Sequence, residues 1–329
     1  MKKWFNFEVA LLLLVLIVAI VCLTSLSGKE TVPTVSGGLD KETTLQTQET
    51  TETRTEATEP TWMVFPESRK LTAKQAFVYD CQKEEFTFLL GEETDTVYPA
   101  SITKLFTAYV ALQYLSPTQE ITAGDALELV GVGSSVAGIE KDDILSVEML
   151  VQAMLLPSGN DAAYILAAEV GRILEKDHTL GAWYAVDAFL EEMNKQAKDL
   201  GLTGTHFTNP DGYHDAEHYT NFKDMAAIGK LSMENETIMR YAKVYKEQIT
   251  FSDGIIKDWE NTNALVNPAS EYYCPVATGL KTGQTPSAGS CLLSSFDADG
   301  EKYLIGVFGC PEIEDRFEDT LQLLNDTLN

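Results

Sequence analysis

A serine followed three positions later by a lysine, as in Ser101-Ile-Thr-Lys104, can make a nucleophile without a histidine. A serine hydroxyl is a poor nucleophile until a base takes its proton. Residues i and i+3 share one face of a helix, so the Lys104 amine can reach the Ser101 hydroxyl. A free lysine, with a pKa of about 10.4, keeps its proton at neutral pH. Lowering it by about three pH units takes roughly 4 kcal/mol of differential interaction, which only a packed cleft supplies. Burial and a second cation both act in that direction, and Lys281 is the candidate cation. Taken alone, such a tetrapeptide is more often a helix start with a surface lysine.

Two further motifs follow in order. Ser158-Gly-Asn160 sits where a helix–helix turn is expected, and these residue types are ordinary turn punctuation. Read as chemistry, Ser158 relays a proton to a leaving amine, while Asn160 bonds a substrate amide and helps to position Lys104. Lys281-Thr282-Gly283 follows an apolar strand, where a glycine permits close backbone approach by a ligand. An edge strand there can pair with a peptide through its main chain, with Lys281 and Thr282 holding a terminal carboxylate. Each motif is weak alone; three in order form a specific signal.

The elements that must position these residues can be read from periodicity. Ala73 to Tyr79 and Glu85 to Leu90 read as paired strands. A helix is expected to open at Pro99-Ala-Ser101, carrying Leu105, Ala108, Val110 and Leu112. Ser146 to Leu156 reads as a helix stopped before Pro157, since the residue preceding proline avoids helical geometry. Further helices are expected from Asp161 onward, over Ala182 to Leu200 and over Phe222 to Leu231. Tyr245 to Phe251, Ala277 to Lys281, Ala288 to Ser295 and Tyr303 to Phe308 then read as strands, before a helix from Arg316 to Leu328. The expected fold class is α/β (α+β): one sheet closed by both ends of the domain, with helices inserted between.

Lys2 and Lys3 precede an apolar run from Val9 to Leu23. Such a run is a signal-peptide core or a membrane anchor, for which about 20 residues are needed. Residues 1–27 therefore read as an export signal, cleaved after Ser27 or retained with the lysines in the cytoplasm. Residues 28–61 are dominated by Thr and Glu and contain no aromatic residue, the composition of a disordered linker. Residues 62–329 have the composition of a globular catalytic domain.

The net charge of −26 excludes nucleic acid as a natural partner, because phosphate binding needs basic patches. No CxxC or HExxH occurs, and His206, His214 and His218 fall in a turn-rich loop, so no metal is expected. Beyond Cys22, the thiols Cys81, Cys274, Cys291 and Cys310 could pair, Cys291 with Cys310 first, although the core looks large enough without staples.

Assembled, these residues resemble the D-alanyl-D-alanine carboxypeptidase family of low-molecular-mass penicillin-binding proteins. The likeness is carried by Tyr98-Pro-Ala-Ser-Ile-Thr-Lys104, Met154-Leu-Leu-Pro-Ser-Gly-Asn-Asp-Ala-Ala163 and Thr278-Gly-Leu-Lys-Thr-Gly283. His206-Phe-Thr-Asn-Pro-Asp-Gly212, His218-Tyr-Thr220, Asn261-Thr-Asn263, Ala288-Gly-Ser-Cys-Leu292 and Arg316-Phe-Glu-Asp319 extend it. The resemblance implies a β-lactamase/D,D-peptidase-like fold, a mostly antiparallel sheet flanked by helices, with an inserted helical subdomain. It implies Ser101 as acyl-enzyme nucleophile, Lys104 as base, Ser158 and Asn160 as the middle element, and Lys281 with Thr282 and Gly283 on the substrate carboxylate. The backbone N–H groups of Ser101 and Gln284 would form the oxyanion hole.

It further implies no cofactor, peptidoglycan stem peptides ending in D-Ala-D-Ala as substrate, and β-lactams as covalent inhibitors. Two departures stand out. Some relatives carry arginine where this chain has Thr262, and the C-terminal β-domain and amphipathic anchor of many relatives are not seen, which puts any membrane tether at the N-terminus. The alternatives are a class A-like β-lactamase, although Ser-Gly-Asn replaces Ser-Asp-Asn and no glutamate-bearing loop is evident, and a catalytically silent penicillin-binding wall protein.

Overall fold

A computed structural model describes residues 70–252 and 254–329. The apolar run Val9 to Leu23 and the Thr/Glu-rich stretch 28–61 lie outside the described residues. Strands β1 (Gln75–Asp80) and β2 (Glu85–Leu90) form the expected hairpin. Helix α1 (Thr103–Tyr114) follows a single 3₁₀ turn over Ala100–Ile102. Two short strands, β3 (Glu120–Thr122) and β4 (Ile144–Ser146), pair beside it. Next come α2 (Val147–Leu155), α3 (Asn160–Glu175), α4 (Ala182–Asp199), α5 (Phe222–Glu234) and the short α6 (Glu236–Ala242). A small hairpin, β5 (Lys246–Thr250) with β6 (Ile256–Glu260), leads to β7 (Ala277–Thr285), β8 (Gly289–Ala298), β9 (Glu301–Cys310) and α7 (Asp315–Leu328).

The main sheet runs β2-β1-β9-β8-β7, with every neighbour antiparallel. Period-two alternation decides which core each side chain joins. Ala76 and Val78 of β1, Leu292 of β8 and Ile305 and Val307 of β9 pack with Phe317, Leu321 and Leu324 of α7. Phe77, Leu293, Leu304 and Phe308 point to the opposite face, where the inserted helices lie. There Phe77 meets Phe222 of α5, ring centroids 5.5 Å apart. Burial of one such ring is worth about 1.5–3 kcal/mol.

The two ends of the described chain close on one another. The carboxylate of Asp319 on α7 accepts from Thr72 N at 2.8 Å, Ala73 N at 2.7 Å and Thr72 Oγ1 at 2.9 Å. Local capping starts the helices: the Ser146 hydroxyl accepts from Met149 N at 3.2 Å, and the Asn221 side chain accepts from Asp224 N at 2.8 Å. Helix α1 is buried throughout Thr103 to Ala108, so Lys104 has no solvent face to reach. Cys81, Cys274, Cys291 and Cys310 are free thiols, and the pairing of Cys291 with Cys310 is absent. No helix among the described residues is long and apolar enough to cross a membrane.

Candidate active site

The 3₁₀ turn sets Ser101 immediately before α1, with Ala100 in the left-handed region at φ 48°. Such a conformation is costly outside glycine and persists only where neighbours enforce it. Those neighbours are two glycines. A Cβ on Gly212 (φ 82°) would lie 1.8 Å from Ala100 O, and one on Gly283 would lie 2.8 Å from Pro99 O and 3.2 Å from Ser101 N. Strand β7 and the 208–213 loop therefore press on the backbone of the serine turn from two sides, at distances only glycine allows.

Lys104 is 0% exposed, one helical turn beyond Ser101. Its Nζ lies 2.8 Å from Ser101 Oγ and 2.7 Å from Asp211 O, to which it donates. Burial lowers its pKa to about 8, opposed by the charges of Asp211 and Asp161. Of the two causes expected for a lowered Lys104, burial and the cation Lys281, burial is the one that acts, and Lys281 is not among the charges that shift it. Lys281 is itself 0% exposed and is pushed well below the ordinary lysine range by burial, with Lys104 and Arg316 adding to the effect.

Ser158 occupies the tight turn between α2 and α3 at φ 64°, a second left-handed residue other than glycine. That turn is bolted to the 131–139 loop. Asn160 N donates to Ser135 O at 2.8 Å, and Ser135 Oγ donates to Pro157 O at 2.9 Å. Asp161, next in sequence, accepts from Ala137 N, Gly138 N, Ile139 N and Ala162 N at 2.9–3.1 Å. Asn160 Oδ1 is buried and has no partner. The contact expected from Asn160 to Lys104 is not among the lysine's bonds, which go to Ser101 and Asp211.

Strand β7 is the edge of the sheet and forms the opposite wall of the cleft. Lys281 Nζ reaches Thr282 O at 3.2 Å, and Thr262 Oγ1 and Thr282 Oγ1 at 3.4 Å each. The two threonine hydroxyls are themselves 2.5 Å apart. Asn261 and Asn263 fix the Thr262 segment by bonding backbone N–H groups two residues on, at 2.9 and 3.1 Å. Arg316, at the start of α7, completes this end of the cleft. Its Nη1 donates to Gly283 O at 3.4 Å, and burial lowers it to about 10, still cationic at neutral pH.

Ser101, Ser158, Thr282, Gly283, Gln284 and Arg316 line one cleft of about 540 Å³. Ser101, Asn160 and Gln284 also border an adjoining space of about 500 Å³. The three sequence motifs thus converge on one place. Arg316, Asp161 and Asp211 were absent from the sequence-derived site; the first lies in a segment singled out only as similar to the family, and the second directly follows Asn160.

The histidines are otherwise engaged. His218 Nδ1 accepts from Thr208 N at 3.1 Å, so its Nε2 carries the proton and donates to Thr103 Oγ1 at 2.8 Å. His206 bonds Glu217 O, and His214 packs edge-on against Tyr98. Among the described residues no group of three or more His, Cys, Asp or Glu is arranged to hold a metal. Burial depresses His218 to about 3, against about 6.5 when unfolded. The unfolded chain thus binds the extra proton between those values, and stability present above pH 6.5 is lost as pH falls toward 3. Urea midpoints should fall over that window with a His218 contribution of at most about 1.4 kcal/mol per pH unit. His218→Gln should flatten that slope; an unchanged slope would remove His218 from the account.

The antiparallel sheet, the helices on both faces and the serine turn at their junction define the D,D-peptidase/β-lactamase-like fold. The chain superimposes on the crystal structure of the Streptomyces K15 DD-transpeptidase with a TM-score of 0.70 and 27% identity, over 78% of this chain and 97% of that one. Penicillin-binding protein D2 of Listeria monocytogenes, solved in an ampicillin-bound form, matches at 0.63 and 26% over 79% and 98%. A family model described as D-alanyl-D-alanine carboxypeptidase matches residues 62–311, and the chain belongs to that family. It is 30% identical to the D-alanyl-D-alanine carboxypeptidase of Streptomyces sp. strain K15 over 68% of this chain and 77% of the relative. It is 28% identical to DacF of Bacillus subtilis over 69% of this chain and 55% of the relative, so it spans about half the length of that protein.

Proposed function

We infer that the protein is a serine-type D-Ala-D-Ala carboxypeptidase that acts outside the cytoplasm on peptidoglycan stem peptides. The observation that carries this reading is the 2.8 Å contact between Ser101 Oγ and a fully buried Lys104 whose pKa is brought to about 8. A base with that pKa is partly unprotonated at neutral pH and still strong enough to take a hydroxyl proton.

In the forward reaction Ser101 Oγ attacks the carbonyl carbon of the penultimate D-alanine, and its proton passes to Lys104 Nζ. Negative charge on the carbonyl oxygen is met by the backbone N–H groups of Ser101 and Gln284. The C–N bond then breaks, and Ser158 relays the proton to the departing amine of D-alanine. Water attacks the resulting ester, Lys104 takes its proton, and Ser101 Oγ recovers that proton as the C–O bond breaks. Asn160 Oδ1, buried without a partner, is available to accept from the substrate amide. The edge strand β7 offers main-chain bonds along the peptide, while Lys281, Thr282 and Arg316 hold the terminal carboxylate. Arg316 supplies from α7 the cation that Thr262 cannot.

This chemistry needs no cofactor. Residues 1–27 would deliver the domain across the membrane, and residues 28–61 would hold it at a distance. The test is mass spectrometry of purified muropeptides after incubation with the protein. Loss of a single D-alanine from pentapeptide stems is expected; cleavage of cross-links instead, or of a chromogenic β-lactam with rapid turnover, would replace the reading by an endopeptidase or a β-lactamase. Because Ser101 and Lys104 supply nucleophile and base, D-alanine release should persist in EDTA. Activity lost on chelation and restored by zinc would redirect attention to His206, His214 and His218.

A further inference from the structure

The steps above leave one buried carboxyl beside the base without a task. Asp211 is 1% exposed and borders the same space as Ser101 and Asn160. Its Oδ1 accepts from Tyr213 N at 3.1 Å, while its Oδ2 is buried with no hydrogen-bond partner. Bonds to the backbone of its turn hold it in place. Lys104 Nζ donates to Asp211 O at 2.7 Å, and Thr107 Oγ1, three residues further along α1, donates to Pro210 O at 2.6 Å. Asn209 Oδ1 accepts from Gly212 N at 2.8 Å and closes the turn.

The charged and titratable groups that bear on Lys104 come from several elements. Asp161 at the start of α3 has both oxygens committed to backbone N–H groups of the 131–139 loop and of Ala162. Lys281 on β7, with Arg316 of α7 behind it, is cationic or neutral but never negative. His218 is a neutral imidazole bonded to Thr103 and Thr208, and Tyr164 of α3, which faces Asp211, has its phenol pushed up by burial. Of the two carboxylates acting on Lys104, Asp211 alone keeps an uncommitted oxygen.

We propose that Asp211 is a positioning residue whose carboxylate supplies the counter-charge for the ammonium formed on Lys104 each time the lysine takes a proton. The proposal rests on the acyl-serine reading. In acylation the Ser101 O–H bond breaks, the proton goes to Nζ and the Oγ–C bond forms. In deacylation the proton comes from water. Both steps create a buried ammonium that has only Ser101 Oγ and Asp211 O as bonded partners, a state that burial strongly disfavours without a nearby negative charge. Asp211 makes and breaks no bond to substrate. The electrostatics agree in sign: burial pushes Lys104 down and Asp211 up, and each partner's charge opposes the effect on the other.

The test is the pH profile of acylation by labelled penicillin in wild type, Asp211→Asn and Asp211→Glu. Asparagine keeps the acceptor for Tyr213 N and the volume, but removes the charge. Lys104 then loses a group that raises its pKa, so the acid limb of the profile should move to lower pH by about one unit, with a plateau at least tenfold lower. Glutamate should bring the limb part of the way back. A merely structural role would reduce the amount of active protein at every pH and leave the limb where it is, which would overturn the proposal. Lys104→Met reads the same coupling from the other side: ¹³C NMR of the Asp211 carboxyl should show it titrating at higher pH once the ammonium is gone. An unshifted titration counts against the proposal even if the asparagine variant fails to fold. If the wild-type chain takes up no label at any pH, the acyl-serine reading falls and the proposal with it. If it labels and Asp211→Asn follows the wild-type profile, only the proposal falls.

Discussion

Ser101→Ala should abolish covalent labelling by penicillin and reduce D-alanine release by at least about 10⁴-fold, the scale on which nucleophile deletions act in serine hydrolases. The loss should be chemical rather than structural. The Ser101 side chain contributes one hydrogen bond, from Lys104, and that amine keeps its bond to Asp211 O. The turn itself is held by backbone contacts with Gly212 and Gly283, which alanine leaves unchanged. Digestion of the labelled wild-type protein should place the adduct on the peptide containing Ser101, and the variant should unfold at an unaltered temperature. Label persisting in Ser101→Ala would move the nucleophile to another hydroxyl of the cleft, such as Ser158 or Ser135.

The second large effect concerns the free carboxylate. A carboxypeptidase must recognise a chain end, and charge-assisted hydrogen bonds are worth about 1.5–3 kcal/mol each. Amidating the terminal D-alanine should therefore cost the wild-type protein at least about tenfold in kcat/KM. Lys281→Ala should lose much of that preference, and further loss is expected in Lys281→Ala with Arg316→Leu, since both basic side chains lie at one end of the cleft. Comparing acid and amide substrates across the three proteins separates recognition from acylation. If the wild-type protein cleaves both forms equally, the chain end is not what it reads, and an endopeptidase becomes the better description.

Much of the site was legible because its chemistry sits in three contiguous motifs. Ser101 and Lys104 are neighbours by helix geometry alone, and Lys281 to Gln284 are neighbours on one strand. Helices α2 to α5 and strands β7 to β9 were legible for a similar reason, since their apolar periods are long enough to stand out. Helix α6, with seven residues, and the three-residue strands β3 and β4 carry too little periodicity to be seen. The hairpin partner β6 was also missed, its Ile256–Glu260 stretch being largely exposed and polar. What no local pattern could give were contacts made across the chain. Asp211 meets Lys104 over 107 residues, and Arg316 meets Gly283 over 33. The same limit bears on the Lys104 shift: sequence offered burial and the cation Lys281 side by side, and that burial alone is responsible appears only once the helices around α1 are assembled.

The pairing of β1 with β9 and the clamp from Asp319 to Thr72 and Ala73 have a consequence for the order of events in folding. The first strand of the domain has β2 as a local neighbour, but its other edge and one of its two apolar faces are supplied by segments beginning at Glu301 and Asp315. Nothing made earlier can stand in for them. A chain emerging N-terminus first therefore holds an incomplete sheet until β9 and α7 are free, and loop-closure entropy must be met before those distant contacts give anything back. The same topology makes closure of the sheet a late, nearly all-or-none event. Loss of the final helix would cost the domain its ability to close at all, rather than trim its edge.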